Sequence, residues 1–303
     1  MLSARTTRTT RPRHAPRPPR PRVAALALCT VALSSLLAQA AFAAPPQSAA
    51  HDPGVAERRL AHLRHGINLS DWFAQQQDSA AYTKEHFETT VTPQDISMIR
   101  AMGFDHVRLS VDPRPILRVE QSDQIASDDL TNLDAAIKMI LDQGLAVDLS
   151  IYADETFKQK LAADDDAVER FADFWRALAA HYAKLDPDRV FFEILNEPEG
   201  RDRYRWYGVE AKLATAIREG APQHTIIATG AHWSDDDDLI FLEPLRDPNV
   251  IYTFHFYQSP IFTHQGADWS VNYWHYLRRR SLSLRSGARA KGRGVGPRSR
   301  APA

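Results

Sequence analysis

The sequence predicts an α/β protein built as a (β/α)8 barrel of the TIM type, incomplete, with about six of the eight β/α units present. Two patterns predict it. Apolar strand-like runs alternate strictly with amphipathic helical runs, an order that implies parallel pairing and right-handed crossovers. Polar and aromatic residues stand at nearly every strand tip, where a barrel assembles its site, and no glycine-rich phosphate loop follows the first strand as it would in an open dinucleotide-binding sheet. The spaced glycines Gly292, Gly294 and Gly296 have no strand before them and carry no weight.

The chain begins with the marks of an export signal. An Arg- and Pro-rich segment ends near Arg22, an apolar run covers Val23 to Leu37, and small residues with Ala-x-Ala spacing follow at Ala41 and Ala43. A spanning helix needs roughly 20 apolar residues, more than this run offers. Residues 1–43 are therefore expected to be a signal peptide cleaved after Ala43, giving a secreted or periplasmic protein with no membrane association after cleavage. Cys29, the one cysteine, leaves with it, so the exported chain has no disulfide and depends on its core for stability.

A linker is expected over 44–60 and the barrel over 61–277. Gly66 to Phe73 forms the first strand. Thr92 caps a helix running to Met102, with Pro93 at its first position and Asp95 in its first turn. His106 to Pro113 forms the second strand, and a long polar loop leads to a helix over Leu130–Gln143. Leu145 to Tyr152 is the third strand. Ala167 to Leu185 is an amphipathic helix whose Phe171, Phe174, Trp175, Leu178 and Tyr182 share one face, the spacing of a packed core. The fourth strand, Val190-Phe-Phe-Glu-Ile-Leu-Asn-Glu-Pro198, is an apolar run that ends in Asn196, Glu197 and a ladder-breaking proline. Tyr207 to Gly220 is the next helix, Thr225 to Ser234 the fifth strand with its tip, Asp238 to Leu245 a short helix, and Val250 to Tyr257 the sixth strand.

Charge is distributed unevenly. Residues 1–43 carry seven Arg and residues 278–303 carry eight Arg and one Lys, with no acid in either. Between them 21 basic groups face 38 acidic ones. An acidic body repels nucleic acid and suits a neutral partner. Six histidines, His51, His62, His65, His232, His255 and His264, show no metal-binding spacing on a strand or helix, and no G-x-S-x-G elbow is present. Neither a metal nor any other cofactor is implied.

The order of strand tips resembles the catalytic domain of glycoside hydrolase family 5, the cellulase-type retaining β-glycanases. The matching residues are Arg108 on the second strand, Asn196-Glu197-Pro198 on the fourth and His255-x-Tyr257 on the sixth, within a match from about Gly66 to Trp274. The resemblance implies that Glu197 is the acid/base, that Asn196 bonds the sugar 2-hydroxyl, that Arg108 holds the nucleophile, and that His255 and Tyr257 line the same floor. It implies a monomer acting on β-linked polysaccharide or oligosaccharide. The motifs are shared by enzymes acting on cellulose, mannan, xyloglucan and mixed-linkage glucan, so they do not choose the glycan.

A retaining glycosidase sets two carboxyl groups roughly 5–5.5 Å apart, one protonating the leaving oxygen while the other attacks the anomeric carbon. Glu197 is expected to stay protonated near neutral pH through partial burial beside a second carboxylate. Trp72, Trp206, Trp233 and Trp269 are candidate platforms for pyranose faces. Trp233, beside Gly230 and His232 at a strand tip, is the strongest of them, and Tyr152 and Trp72 complete the expected substrate-binding set.

Two departures from the family pattern stand out. Tyr152 occupies a position where the family commonly has a histidine. The family's nucleophile is a glutamate on a seventh strand, and here the sequence changes character after Leu277. Residues 278–303 are nearly all Arg, Ser, Gly, Ala and Pro, and no acid follows Asp268. The nucleophile is therefore expected to be absent and the tail to be a disordered, non-native product of a frame change or truncation. Glu193 is expected in the barrel core. The expected outcome is a chain without hydrolytic activity, with a non-catalytic glycan-binding remnant as the alternative. Should activity be found, Asp154, Glu155 and Glu243 are the first candidates for an unrecognised nucleophile.

Overall fold

A computed structural model describes residues 54–76, 78–116, 127–200, 202–267 and 276, all within one compact unit that begins at His51. The export signal, Cys29, Trp269 and the basic tail lie outside the described residues. Six strands form one parallel sheet in sequence order: β1 Gly66–Phe73, β2 His106–Val111, β3 Ala146–Ile151, β4 Val190–Glu193, β5 Thr225–Thr229 and β6 Val250–Thr253. Parallel strands covered on both faces need continuous apolar runs, and β3, β4 and β5 are buried at every position. Of the outer two, β6 is half-buried throughout, and β1 alternates between exposed and half-buried before its buried end at Trp72 and Phe73.

The helices are α1 Glu57–Leu60, α2 Lys84–Thr89, α3 Pro93–Ala101, α4 Ser127–Asp142, α5 Glu155–Ala163, α6 Asp165–Tyr182 and α7 Arg203–Gly220. Thr92 and Asp95 form the capping box that starts α3, each side chain closing on the other's backbone N–H. Between α6 and α7 the backbones come close at Gly220, where a Cβ would sit 2.4 Å from the Arg176 carbonyl oxygen. Along α6 the expected stripe of Phe171, Phe174, Trp175, Leu178 and Tyr182 is buried, and the Trp175 indole donates to the Ile194 carbonyl at 3.1 Å. No helix of the described residues is long and apolar enough to cross a membrane.

Some boundaries differ from the sequence reading. The stretch expected as a linker ends in α1, and Arg59 is only 7% exposed. Its guanidinium donates to Asp188, the Gln223 carbonyl, Thr225 and Asn249, clamping α1 beneath β5 and β6. The fifth strand stops at Thr229, and the short helix expected at Asp238 to Leu245 is a 3-10 turn over Asp236–Phe241. Helices α2 and α5 are short, and their apolar spacing was too brief to read.

Alternation along each strand divides the sheet into two sides. One set packs against the helices as the main core, including Val107, Leu109, Val147, Leu149, Phe192 and Ile226. The other set points inward and forms layers, the lowest an apolar plug of Ala146, Phe191 and Ile227 against Leu63 and Ile251. Above it the inward positions turn polar, which is where the site begins.

On α7, Glu210 is buried and accepts the backbone N–H of Thr229 at 2.7 Å, tying the helix to the end of β5. Burial pushes its carboxyl up to about 8, against which the backbone hydrogen bond acts only weakly. An acid raised in the folded state holds its proton after the unfolded chain has lost it. Its stabilising contribution is therefore complete below the ordinary glutamate range and falls at about 1.4 kcal/mol per pH unit until the folded carboxyl itself ionises. Glu210→Gln preserves the acceptor oxygen without the charge. Urea denaturation is expected to show the variant and wild type alike at pH 4, with the variant increasingly more stable as pH rises towards 8.

Candidate active site

The polar layer is organised by Arg108, which β2 projects inward in register with Asn68 on β1 and Asp148 on β3. Its guanidinium grips Glu193 on β4 in bidentate fashion, Nε to Oε2 at 2.7 Å and Nη2 to Oε1 at 2.5 Å. It also donates to Asn68 Oδ1 at 3.0 Å, Ser150 Oγ at 2.9 Å and Asn196 Oδ1 at 3.0 Å. One side chain thereby links four strands. Glu193 is held ionised, because the paired guanidinium and its hydrogen bonds outweigh the penalty of complete burial. Its neighbour Asp148 goes the other way. Burial and the Glu193 charge raise its carboxyl well above the ordinary aspartate range, and its Oδ1 has no hydrogen-bond partner.

Just beyond the end of β4 the chain carries Asn196 and Glu197 into the cleft. Asn196 is 2% exposed, and its backbone N–H is bonded to the Ile151 carbonyl at 2.7 Å. With its oxygen committed to Arg108, the amide Nδ2 is buried and unpartnered. Glu197 takes a left-handed backbone with φ 49°, a strained conformation for a residue with a side chain, of the kind that clusters at active sites. The Pro198 carbonyl that follows accepts the Trp233 N–H at 2.9 Å, so the turn is held from the β5 side.

His255 donates its Nδ1 proton to Glu197 Oε1 at 2.7 Å. Burial pushes the Glu197 carboxyl up. The His255 hydrogen bond, with the charges of His255, Lys158 and Arg108, outweighs it and holds the group below its ordinary range. This corrects the expectation of a protonated Glu197. The partner that reverses the sign is 58 positions along the chain, and the charge of the buried Glu193 carboxylate is neutralised by Arg108.

A cavity of about 360 Å³ is lined by Arg108, Tyr152, Asn196, Glu197, His255 and Tyr257, together with Asn68, Asp148 and Glu193. It continues into a wider cleft of about 1000 Å³ with Trp233, Lys158, Glu199 and Pro260 on its walls. The structure thus gathers Arg108, Tyr152, Asn196, Glu197, Trp233, His255 and Tyr257 around one space. The Tyr152 hydroxyl accepts from Gln75 Nε2 at 2.8 Å, and Trp233 is 58% exposed. Trp72 is not part of the group. It is 2% exposed, packed on Phe73, with its indole N–H given to the Phe87 carbonyl. The pairing of β1 with β2 shifts register between Leu69 and Phe73, and this irregularity turns the strand end into the core. Trp206 is likewise buried, donating to the Thr229 carbonyl.

Sequence reading missed Asn68, Asp148, Ser150 and Lys158. Each of the first three is the polar member of an apolar strand at an inward position, which was the available signal. Lys158 lies on α5 and is paired with Glu199 at 3.2 Å. The turn Asp235-Asp236-Asp237 brings three carboxylates together, as exposed acidic turns commonly do without an ion.

The chain was compared with known proteins. A family model described as Cellulase (glycosyl hydrolase family 5) matches residues 70–286. Endoglucanase C from Acetivibrio thermocellus is 33% identical over 225 residues, covering 72% of this chain and 64% of that protein. Cellodextrinase A from Ruminococcus flavefaciens is 29% identical over 213 residues, covering 68% and 61%. The chain therefore spans under two thirds of the length of these relatives. Thermotoga maritima Cel5A in complex with cellobiose superposes with a TM-score of 0.65 at 28% identity, over 75% of this chain and 71% of that one. Its complex with mannotriose gives the same values.

The pairing of His255 with Glu197 makes a direct prediction. In His255→Phe the hydrogen bond is lost and burial acts with less opposition, so the Glu197 carboxyl should titrate higher than in wild type. Carbon-13 NMR of the labelled carboxyl, assigned by Glu197→Gln, reads the change; an unmoved titration would show that His255 does not set it.

Proposed function

Because the chain belongs to glycosyl hydrolase family 5, we propose that its cleft takes a β-linked glucan chain and that Glu197 is the acid/base of retaining glycoside hydrolysis. The observation that carries this reading is the pair at the tip of β4. Asn196 lines the cavity beside the Glu197 carboxyl with a buried amide Nδ2 that has no protein partner, a donor left for a sugar hydroxyl next to the scissile oxygen. The ionised Glu197 suits the base half of such a cycle. A glycan laid over it would exclude water and favour the protonated, proton-donating form needed for the acid half. Relatives named as an endoglucanase and a cellodextrinase support a β-glucan, and a neighbour that binds both cellobiose and mannotriose supports tolerance of mannose units.

The second carboxylate is the missing part. The sequence holds no acid after Asp268, and Glu193, the carboxylate nearest to Arg108, is bound to it at the cavity floor. Without a free nucleophile no glycosyl-enzyme intermediate forms. Residues 1–303 are therefore proposed to hold oligosaccharide without cleaving it, and to be exported through the segment 1–43.

Calorimetry with cellotetraose and a reducing-sugar assay on carboxymethyl cellulose test the two halves. The expected result is weak binding, weakened further by Asn196→Ala, with no sugar release. Release that is lost in Glu197→Gln would show that a nucleophile exists in the chain. No binding by a folded sample would remove the glycan reading.

A further inference from the structure

Part of the wall of the wider cleft is made by an unusual turn. After β5 the residues His232, Trp233 and Ser234 have φ values of 45°, 59° and 60°. Residues with a Cβ enter the left-handed region singly, because the Cβ crowds the following carbonyl, and a run of three is strongly disfavoured. Such a run persists only where its surroundings over-determine it.

Three contacts do so. The Trp233 N–H is held by the Pro198 carbonyl at 2.9 Å, and the Ser234 carbonyl accepts the His255 N–H at 2.7 Å. The third is a side chain. His232 Nδ1 lies 3.1 and 3.0 Å from the two carboxylate oxygens of Asp238, which is 4% exposed and also lies 3.6 Å from Arg203. Gly230 makes room for it, since a Cβ there would stand 2.7 Å from the Asp238 Cβ. A buried carboxylate is thus set directly under the turn that exposes Trp233 to the cleft and fixes the main chain of His255, the partner of Glu197.

We propose that Asp238 is a positioning residue: through His232 it locks the left-handed turn, which presents the Trp233 indole as a sugar platform and aligns His255 on Glu197. The consequence for binding rests on the glycan reading given above, whereas the locking of the turn does not. Asp238 touches no substrate. Its effect is carried by the backbone of 232–234, which has one arrangement while the His232 contact stands and several once it is lost.

The test uses the full chain labelled with 5-fluorotryptophan, with the Trp233 fluorine resonance assigned by Trp233→Phe and the buried Trp175 resonance as the control for folding. Wild type should give one sharp Trp233 line that shifts with cellotetraose. In Asp238→Ala that line should broaden or split while the Trp175 line stays in place. The cellotetraose Kd should rise about tenfold, or roughly 1.4 kcal/mol. Asp238→Asn retains an acceptor for His232 and should stay within about threefold of wild type.

A second pair at half-buried His232 avoids disturbing the buried site. Asn tolerates the left-handed region and keeps a donor, so His232→Asn should resemble wild type. Val has neither property, and His232→Val should reproduce Asp238→Ala. An unchanged sharp Trp233 line and an unchanged Kd in both Asp238→Ala and His232→Val would overturn the proposal. If wild type ignores cellotetraose, the glycan reading fails, and the line shapes alone still decide whether Asp238 locks the turn.

Discussion

A half-buried guanidinium in the middle of a parallel sheet has to be neutralised, and meeting that demand at Arg108 shapes everything above it. Removing a cation from water costs several kcal/mol unless opposite charge and hydrogen bonds replace the lost solvation. Here Glu193 supplies the charge, and Asn68, Ser150 and Asn196 supply acceptors, so β1, β3, β4 and the segment after β4 each contribute a group that answers to one side chain. The two nearby carboxyls divide the work. Glu193 remains ionised on the guanidinium, and Asp148, beside that charge, is driven towards its neutral form. A barrel of this kind is normally filled by layers of branched apolar residues. This one keeps such a layer only at the bottom and gives the next to a charge cluster.

From that cluster the site follows by short steps. Arg108 takes the Asn196 oxygen, which leaves the amide hydrogens for a ligand. The chain then turns through the left-handed Glu197 into Pro198, whose carbonyl anchors the turn after β5, and that turn anchors His255. His255 closes the circuit on the Glu197 carboxyl. Elements far apart in sequence are thereby joined around one cavity by hydrogen bonds, and the cavity lies at the carboxyl end of the strands, where the fold of glycosyl hydrolase family 5 places its chemistry.

The strands β4 and β5 were legible in the sequence as short apolar runs and β2 and β3 as apolar residues alternating with polar ones, and α3 was legible because Thr92 and Asp95 form its cap. Arg108, Asn196, Glu197, His255 and Tyr257 were legible as polar residues at the ends of such runs. The errors have physical reasons. Trp72 was expected in the substrate-binding set, but a register shift in β1 that no composition reveals turns it into the core. The protonation of Glu197 was read from burial beside a second carboxylate, and its sign depends on a histidine from beyond another strand. The burial of Asp238 and Arg59 was not legible, because nothing local signals that an aspartate will be buried under a turn or an arginine beneath two strands.

The account stands or falls on where a sugar sits. A crystal structure of the chain with cellotriose measures this most directly. The account predicts a pyranose ring against the Trp233 indole, with a ring hydroxyl within hydrogen-bond distance of Asn196 Nδ2 and the glycosidic oxygen facing Glu197. Cellotriose found away from the cavity over Arg108, or bound there with Asn196 Nδ2 still unpartnered, would contradict it.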